Sequence, residues 1–337
     1  MTDESSPATP PAGLRARAPL ATGRDATLLV ALAAAMWGLD GLLRKPLATA
    51  LPAGTVVLWE HAFALVALAP VIPRALRAFA RTRLRDQVAM VAVGVGASAV
   101  ATALFTEAFS LAATSQDYIT PLVLQKLQPI FAIGLAVVVL HERPRPSFGL
   151  FVIPALGGAW LLTFADPGHV QVAELEPALL AVGAAALWAG GTVLGRLVGA
   201  SLEPLEITTL RYVFGFLGSV VVVEVTGATY APAWRNVPGL VLLALIPGLL
   251  ALLLYYRALR RTAASRATIA ELAFPATAAV VGVLFLGSSL SGTQWLGFGV
   301  VALSVVALGW HESRSTRRAA AVLATDPDPL GEWRVPA

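Results

Sequence analysis

The 337-residue chain is 57% hydrophobic and only 13% charged, about half the charged share of an ordinary soluble domain. A pair of soluble domains is thereby excluded, and the bilayer is the expected solvent. The net charge of +4 comes almost wholly from arginine, since Lys45 and Lys126 are the only lysines. The arginines sit in loops beside apolar runs, which points to membrane orientation and away from nucleic acid. The absence of cysteine excludes disulfides, thiolate metal sites and cysteine nucleophiles.

Residues 1–25 are rich in Pro, Ala, Ser and Thr and read as a disordered cytoplasmic tail. The first apolar segment covers about 26–43. Arg15, Arg17 and Arg24 ahead of it, with Ala48-Thr49-Ala50 behind, offer the parts of a cleaved signal peptide. Asp40, Arg44 and Lys45 interrupt that pattern, and the segment recurs around Trp188, so a membrane span is the better reading. Further segments are expected at about 54–73, 88–112, 117–140, 147–165, 176–198, 205–226, 238–258, 267–287 and 292–310. Each has roughly the 17–25 residues that a helix needs to cross the hydrocarbon, and none alternates as a barrel strand would. The expected fold is an all-α integral membrane protein of ten transmembrane helices, with residues 311–337 as a second cytoplasmic tail.

Arginine placement orients the stack. With the N-terminus inside, the inner loops and helix ends carry Arg74, Arg77, Arg81, Arg83, Arg85, Arg143, Arg145, Arg196, Arg257, Arg260, Arg261 and Arg266. The outer loops carry Arg235, with Arg44 and Lys45 near the end of the first segment. This asymmetry predicts a multi-pass protein of the inner (plasma) membrane with both termini cytoplasmic.

The chain also reads as one unit written twice, over 26–165 and 176–310. Trp37-Gly38 answers Trp188-Ala189-Gly190, and Leu58-Trp59-Glu60 answers Leu210-Arg211-Tyr212. Phe105-Thr106-Glu107-Ala108 answers Tyr255-Tyr256-Arg257-Ala258, and the run around Pro129 answers that around Pro275. Five spans per unit make the second copy start from the opposite side, an inverted repeat of the kind found in secondary transporters.

On the Trp37-Gly38 pair, the Leu127-Gln128-Pro129-Ile130-Phe131 run, the Leu140-His141-Glu142-Arg143 closure and the weaker copy at Pro275, the chain resembles the drug/metabolite transporter superfamily in its ten-helix EamA-type branch. The resemblance spans about 26–310 and implies small-molecule transport, commonly export of amino acids or other metabolites. It departs from that pattern at Ser288, where the family often repeats the glutamate of Glu142.

Ionisable residues inside apolar spans are costly and need a partner or a purpose. Glu60 and His61 on the second segment are able to carry or gate a proton, or to serve as an interfacial pair and a structural histidine. Asp40 and Arg44 are four apart and suited to neutralise each other. Lys126, three residues before Pro129 near the midplane, is placed to hold a substrate carboxylate or to pair with Glu60 or Glu107, with Gln125 and Gln128 as neutral neighbours. Glu107 and Glu224 lie at span ends, where solvation explains them. Glu271 and Arg211 are a candidate pair, either an inner gate or a structural bridge. Trp37, Trp59, Trp188, Tyr212, Phe214, Tyr255 and Tyr256 are candidate cavity aromatics, with Trp37 and Trp188 too deep for interfacial anchors. Gly94 with Ser98, and Gly190-Gly191 with Gly195, are expected at tight helix contacts, and Pro247-Gly248 at a kink.

No catalytic set, phosphate loop, metal-ligand spacing or cofactor motif is evident. The reading is a secondary transporter, an exporter, of a small polar metabolite of amino-acid-like chemistry moved by alternating access, with proton exchange at Glu60 as a further hypothesis. A membrane-embedded enzyme or a non-transporting scaffold is the alternative. The expected partners are a small-molecule substrate and the lipid bilayer, with a homodimer left open.

Overall fold

The computed structural model describes residues 26–115, 127–142, 149–163, 166, 168, 175–285 and 290–325. Lys126, Gln125 and Ser288 lie outside them. Among the described residues the chain is helical, with no strand.

In the first half the helices are α1 (Thr27–Trp37), α2 (Asp40–Ala50), α3 (Ala53–Leu68), α4 (Ile72–Ala80), α5 (Leu84–Ala92), α6 (Ala101–Ser115), α7 (Gln128–Leu140) and α8 (Gly149–Thr163). A π-helical stretch, Val93–Val100, joins α5 to α6. The second half holds α9 (Leu175–Val198), α10 (Pro204–Thr226), α11 (Val237–Leu243), α12 (Ala251–Leu259), α13 (Ala264–Ala270), α14 (Ala273–Phe285) and α15 (Gly292–Thr325). A second π-helical stretch, Ala244–Leu250, joins α11 to α12.

Among the described residues, six helices are long and apolar enough to cross a membrane: Thr27–Ala48, Leu84–Ala108, Leu175–Val198, Pro204–Thr226, Trp234–Leu259 and Arg266–Phe285. A seventh span results if α3 and α4, bent by 96° where they meet, count as one. Gln128–Leu140, Gly149–Leu162 and Gly292–Leu308 are shorter apolar helices. Length and composition thus qualify six or seven of the ten expected spans among the described residues.

The helices differ from the apolar segments in three informative places. The first segment does not end near residue 43, because α2 continues it to Ala50. The turn between α1 and α2 tightens at Gly38, where the Leu39 and Leu42 amides donate to carbonyls three residues back. A Cβ on Gly38 would lie 2.6 Å from Thr277 Cβ and 2.9 Å from the Phe274 carbonyl oxygen, so only glycine lets α1 and α14 approach this closely. The expected kink at Pro247 is a π-helical stretch, a common way for a helix to absorb a missing amide. The last helix runs past residue 310 to Thr325, through an Ala- and Arg-rich stretch of good helix formers.

The contacts repeat with the halves exchanged. The Val93–Val100 stretch packs on α10, and its counterpart Ala244–Leu250 packs on α3. Likewise α1 packs on α12 and α14, while α9 packs on their counterparts α6 and α7. The final helices of the halves, α8 and α15, pack on each other. Each broken element is therefore braced by the opposite half, and the space between the halves is where a cavity forms.

Candidate functional site

A cavity of about 200 Å³ lies between the halves. Its wall is paired across the repeat: Trp37 with Trp188, Glu60 with Tyr212, Ser98 with Gly248, Thr102 with Leu252, Phe105 with Tyr255, and Gln128 with Phe274. Asp40, Arg44, His61, Thr192, Arg211, Pro247 and Glu271 complete it without such partners among the described residues. The shape is thus nearly two-fold while the polarity is not.

Three polar groups are built into this wall. In the first, Arg44 donates to both oxygens of Asp40, at 2.6 and 2.8 Å, and to Glu60 at 2.9 Å. The Asp40–Arg44 pair is the one that the four-residue spacing anticipates. The bond to Glu60 crosses from α2 to α3 and is not visible in local spacing. All three side chains are largely shielded, at 25%, 15% and 12% exposure for Asp40, Arg44 and Glu60.

In the second group, the Nδ1 of His61 lies 2.7 Å from the Val57 carbonyl and its Nε2 lies 2.9 Å from Ser98 Oγ. A carbonyl only accepts, so Nδ1 carries the proton and Nε2 accepts from the serine hydroxyl. Ser98 in turn accepts from Arg211 Nε at 3.3 Å. The guanidinium also donates to Tyr256 Oη at 2.9 Å and to the Ala97 carbonyl at 3.2 Å. His61 is therefore a buried structural link, wedged against Tyr212 with ring centroids 5.3 Å apart.

The third group surrounds Glu271, at the break between α13 and α14. Its Oε2 accepts from Gln128 Nε2 at 2.7 Å. Its Oε1 accepts from Tyr255 Oη at 2.7 Å and faces Thr192 Oγ1 at 3.3 Å. Tyr255 and Thr192 are themselves 3.0 Å apart, so the three oxygens share two hydroxyl protons.

The candidate ion pair between Arg211 and Glu271 is not formed. Tyr256 occupies the guanidinium and Tyr255 the carboxylate, and among the described residues no ion pair includes either charge. Glycines on α9 make room for this. A Cβ on Gly195 would lie 2.7 Å from Tyr256 Cε1, and Gly191 and Gly195 stand where the first half has Asp40 and Arg44. Gly195 thus admits the Tyr256 ring, while a Cβ on Gly191 would lie 2.5 Å from Ala97 Cβ, so that glycine lets α9 approach the Val93–Val100 stretch.

Of the other expected residues, Trp37 and Trp188 do line the cavity, against Tyr255 at 5.1 Å and Phe105 at 5.0 Å between ring centroids. Glu107 is exposed on α6 and is not among the lining residues. The roles considered for Lys126 and Gln125 fall outside the described residues. Ser98 and Thr192 are missing from the sequence-based candidates for polar chemistry. For Ser98 the usable signal was the repeat, since its counterpart Gly248 also lines the wall, whereas Thr192 has no counterpart there among the described residues.

Apolar helices in two matching halves around a cavity lined by aromatic and charged side chains are the build of a membrane transporter, a multi-pass protein acting on a small molecule. Residues 25–164 and 176–310 each match the EamA-like transporter family, and the chain belongs to that family. It is 31% identical over 287 residues to the riboflavin transporter ImpX of Fusobacterium nucleatum, covering 83% of this chain and 95% of ImpX. It is 29% identical over 180 residues to the uncharacterized transporter YwfM of Bacillus subtilis, covering 53% of this chain and 60% of YwfM. It is 31% identical over 172 residues to the threonine/homoserine exporter RhtA of Salmonella typhimurium, covering 48% of this chain and 55% of RhtA. The matches to YwfM and RhtA thus span less than two thirds of those proteins, and the match to ImpX nearly all of it. One crystal structure shares the fold with a TM-score of 0.68 at 16% identity, over 87% of this chain and 99% of that one. These family relationships are to transporters and not to enzymes.

Proposed function

We propose that the chain is a secondary transporter that exports a small polar, amino-acid-like metabolite by alternating access through the cavity between its halves. The observation that carries this reading is the wall itself, in which six pairs of residues answer one another across the repeat and charges of both signs are present. Inverted halves of this kind have two equivalent packings, which expose one central site to either face in turn. With both termini inside, the Asp40–Arg44–Glu60 cluster lies toward the outer face and the Arg211 and Glu271 groups toward the inner face. Each of Glu60, Arg211 and Glu271 lies about 10 Å of helix rise from the first residue of its helical run.

Size separates the substrates named for the relatives. A cavity of about 200 Å³ is below the roughly 300–1,000 Å³ that drug-sized ligands occupy. It favours an amino-acid-sized molecule such as that named for RhtA over the flavin named for ImpX. The aromatic walls at Trp37 and Trp188 favour the flavin, so riboflavin is the comparison to include. Proton exchange at Glu60 enters as a coupling proposal, and it requires that the Arg44 bond be released during the cycle.

The test compares metabolites accumulated outside cells with and without the protein, by mass spectrometry. Enrichment of one or a few small polar metabolites is expected. An unchanged external pool with riboflavin alone enriched would replace this substrate reading with the flavin one.

A further inference from the structure

Among the described residues, the charged side chains lining the cavity are Asp40, Arg44, Glu60, Arg211 and Glu271. The first three form one ion cluster, with the Arg44 guanidinium between two carboxylates through its Nε and one terminal nitrogen and its other terminal nitrogen, Nη1, buried without a hydrogen-bond partner among them. Among the described residues, Arg211 and Glu271 hydrogen-bond only to neutral groups. Arg211 has five N–H donors, of which Ser98, Tyr256 and the Ala97 carbonyl use three. One N–H on each terminal nitrogen is left for a further acceptor such as a carboxylate. Glu271 has about four acceptor positions. Gln128 takes one on Oε2, and the Tyr255 and Thr192 hydroxyls face Oε1, so Oε2 keeps capacity for a further donor.

A lone cation and a lone carboxylate inside a membrane protein are both expensive, and their direct pairing would relieve both costs. The structure prevents that pairing. Tyr255 and Tyr256 are consecutive on α12, so their side chains diverge by about 100°. Each takes one of the two charges and anchors it apart from the other. A purely cationic substrate would satisfy Glu271 and face Arg211, and a purely anionic one would do the reverse. Only a molecule with both charges satisfies both groups.

We propose that Arg211 and Glu271 are the two ends of a zwitterion-binding site, in which Arg211 receives the substrate carboxylate and Glu271 its ammonium group. The aromatic rings of Trp37 and Trp188 then face the remainder of the molecule. This rests on the reading of the cavity as the transport site and adds to it the polarity with which substrate sits.

The experiment uses the purified full chain in nanodiscs and in proteoliposomes, as wild type, Arg211→Gln, Arg211→Lys and Glu271→Gln. Thermal stabilisation is measured with each protein amino acid, including L-leucine and L-phenylalanine. For each one that stabilises, it is also measured with the amine lacking the carboxylate and the acid lacking the amino group. For L-phenylalanine these are 2-phenylethylamine and 3-phenylpropanoate. The wild type should bind at least one amino acid, and each truncated analogue about tenfold or more weakly. Arg211→Gln should erase the preference over the amine while keeping that over the acid. Glu271→Gln should do the opposite, and Arg211→Lys should retain part of the preference for carboxylate. Three results would overturn the assignment: no amino acid binds, a truncated analogue binds as well as its parent, or both neutral variants weaken all three ligands equally. Amino-acid binding without flux in the proteoliposomes would instead overturn the transport reading and leave the site standing. Flux of other metabolites without amino-acid binding would do the reverse.

Discussion

Tyr255 and Tyr256 are adjacent on one helix, yet the hydroxyl of one donates to the Glu271 carboxylate and that of the other accepts from the Arg211 guanidinium. A helix turns about 100° per residue, so neighbouring positions are a way to hold two opposite charges near one cavity without letting them meet. The arrangement depends on Gly195, which leaves the space that the Tyr256 ring occupies.

Removing both hydroxyls should let the two charges close on each other. Tyr255→Phe/Tyr256→Phe loses two hydrogen bonds, each contributing about 0.5–1.5 kcal/mol, and gains an ion pair. Its melting temperature in detergent should stay close to that of the wild type while substrate-dependent flux is lost. A double variant that transports normally would contradict the spacer role.

Gly190 and Gly195 should respond oppositely to an added side chain. Nothing lies within 4 Å of a Cβ on Gly190. Gly190→Ala should therefore be neutral or stabilise by up to about 1 kcal/mol through helix propensity. Gly195→Val pushes into Tyr256, should cost about 1–3 kcal/mol and should reduce flux. Equal melting temperatures for the two variants would refute the close contact.

The Asp40–Arg44–Glu60 cluster predicts an order of effects. Arg44→Gln leaves two shielded carboxylates facing each other and should cost about 3–5 kcal/mol. Glu60→Gln leaves the Asp40–Arg44 bonds in place and should cost clearly less. Thermal melts of both variants check this, and a Glu60→Gln loss equal to that of Arg44→Gln would contradict it. The same Glu60→Gln protein in proteoliposomes tests coupling, because undiminished pH-gradient-driven flux rules out proton exchange at Glu60.

Glu142 accepts from the Ala264 amide at 2.9 Å, so the closing glutamate of the first half caps the first turn of α13 in the second. The N-cap position, Ala263, has no side-chain cap of its own. Glu142→Ala should cost about 1 kcal/mol and speed amide exchange over 264–267, whereas Glu142→Gln, which keeps an acceptor, should do so less. Unchanged exchange in Glu142→Ala would remove this role.

Much of the architecture was legible because the apolar period and the arginine-rich loops are long-range, redundant signals. Asp40–Arg44 was legible for a local reason, four residues on one helix face. The Glu60–Arg44 bond and the separation of Arg211 from Glu271 were not, because they depend on how helices rotate against one another. The π-helical stretches Val93–Val100 and Ala244–Leu250 matter here. Each changes the residues per turn, so spacing counted through it misplaces the faces that follow, including those of Phe105, Tyr255 and Tyr256. Ser98 and Thr192 were hidden for another reason. Small hydroxyl residues in apolar helices commonly bond their own backbone, and only the tertiary contacts show that these two bond elsewhere. Orientation rests on arginine counting. Single cysteines at Arg235 and Arg81 in this cysteine-free chain should label with an impermeant thiol reagent from outside and inside respectively, and the reverse pattern would overturn both-termini-inside.

The central claim is that a zwitterionic metabolite crosses through the cavity by way of Arg211 and Glu271. The most direct measurement is efflux from proteoliposomes loaded with a mixture of the protein amino acids, assayed outside by mass spectrometry for wild type, Glu271→Gln and protein-free vesicles. The account predicts that the wild type releases one or a few amino acids well above the protein-free rate, and that Glu271→Gln reduces that release by about tenfold or more. Equal release from all three preparations, or full release by Glu271→Gln, would contradict it.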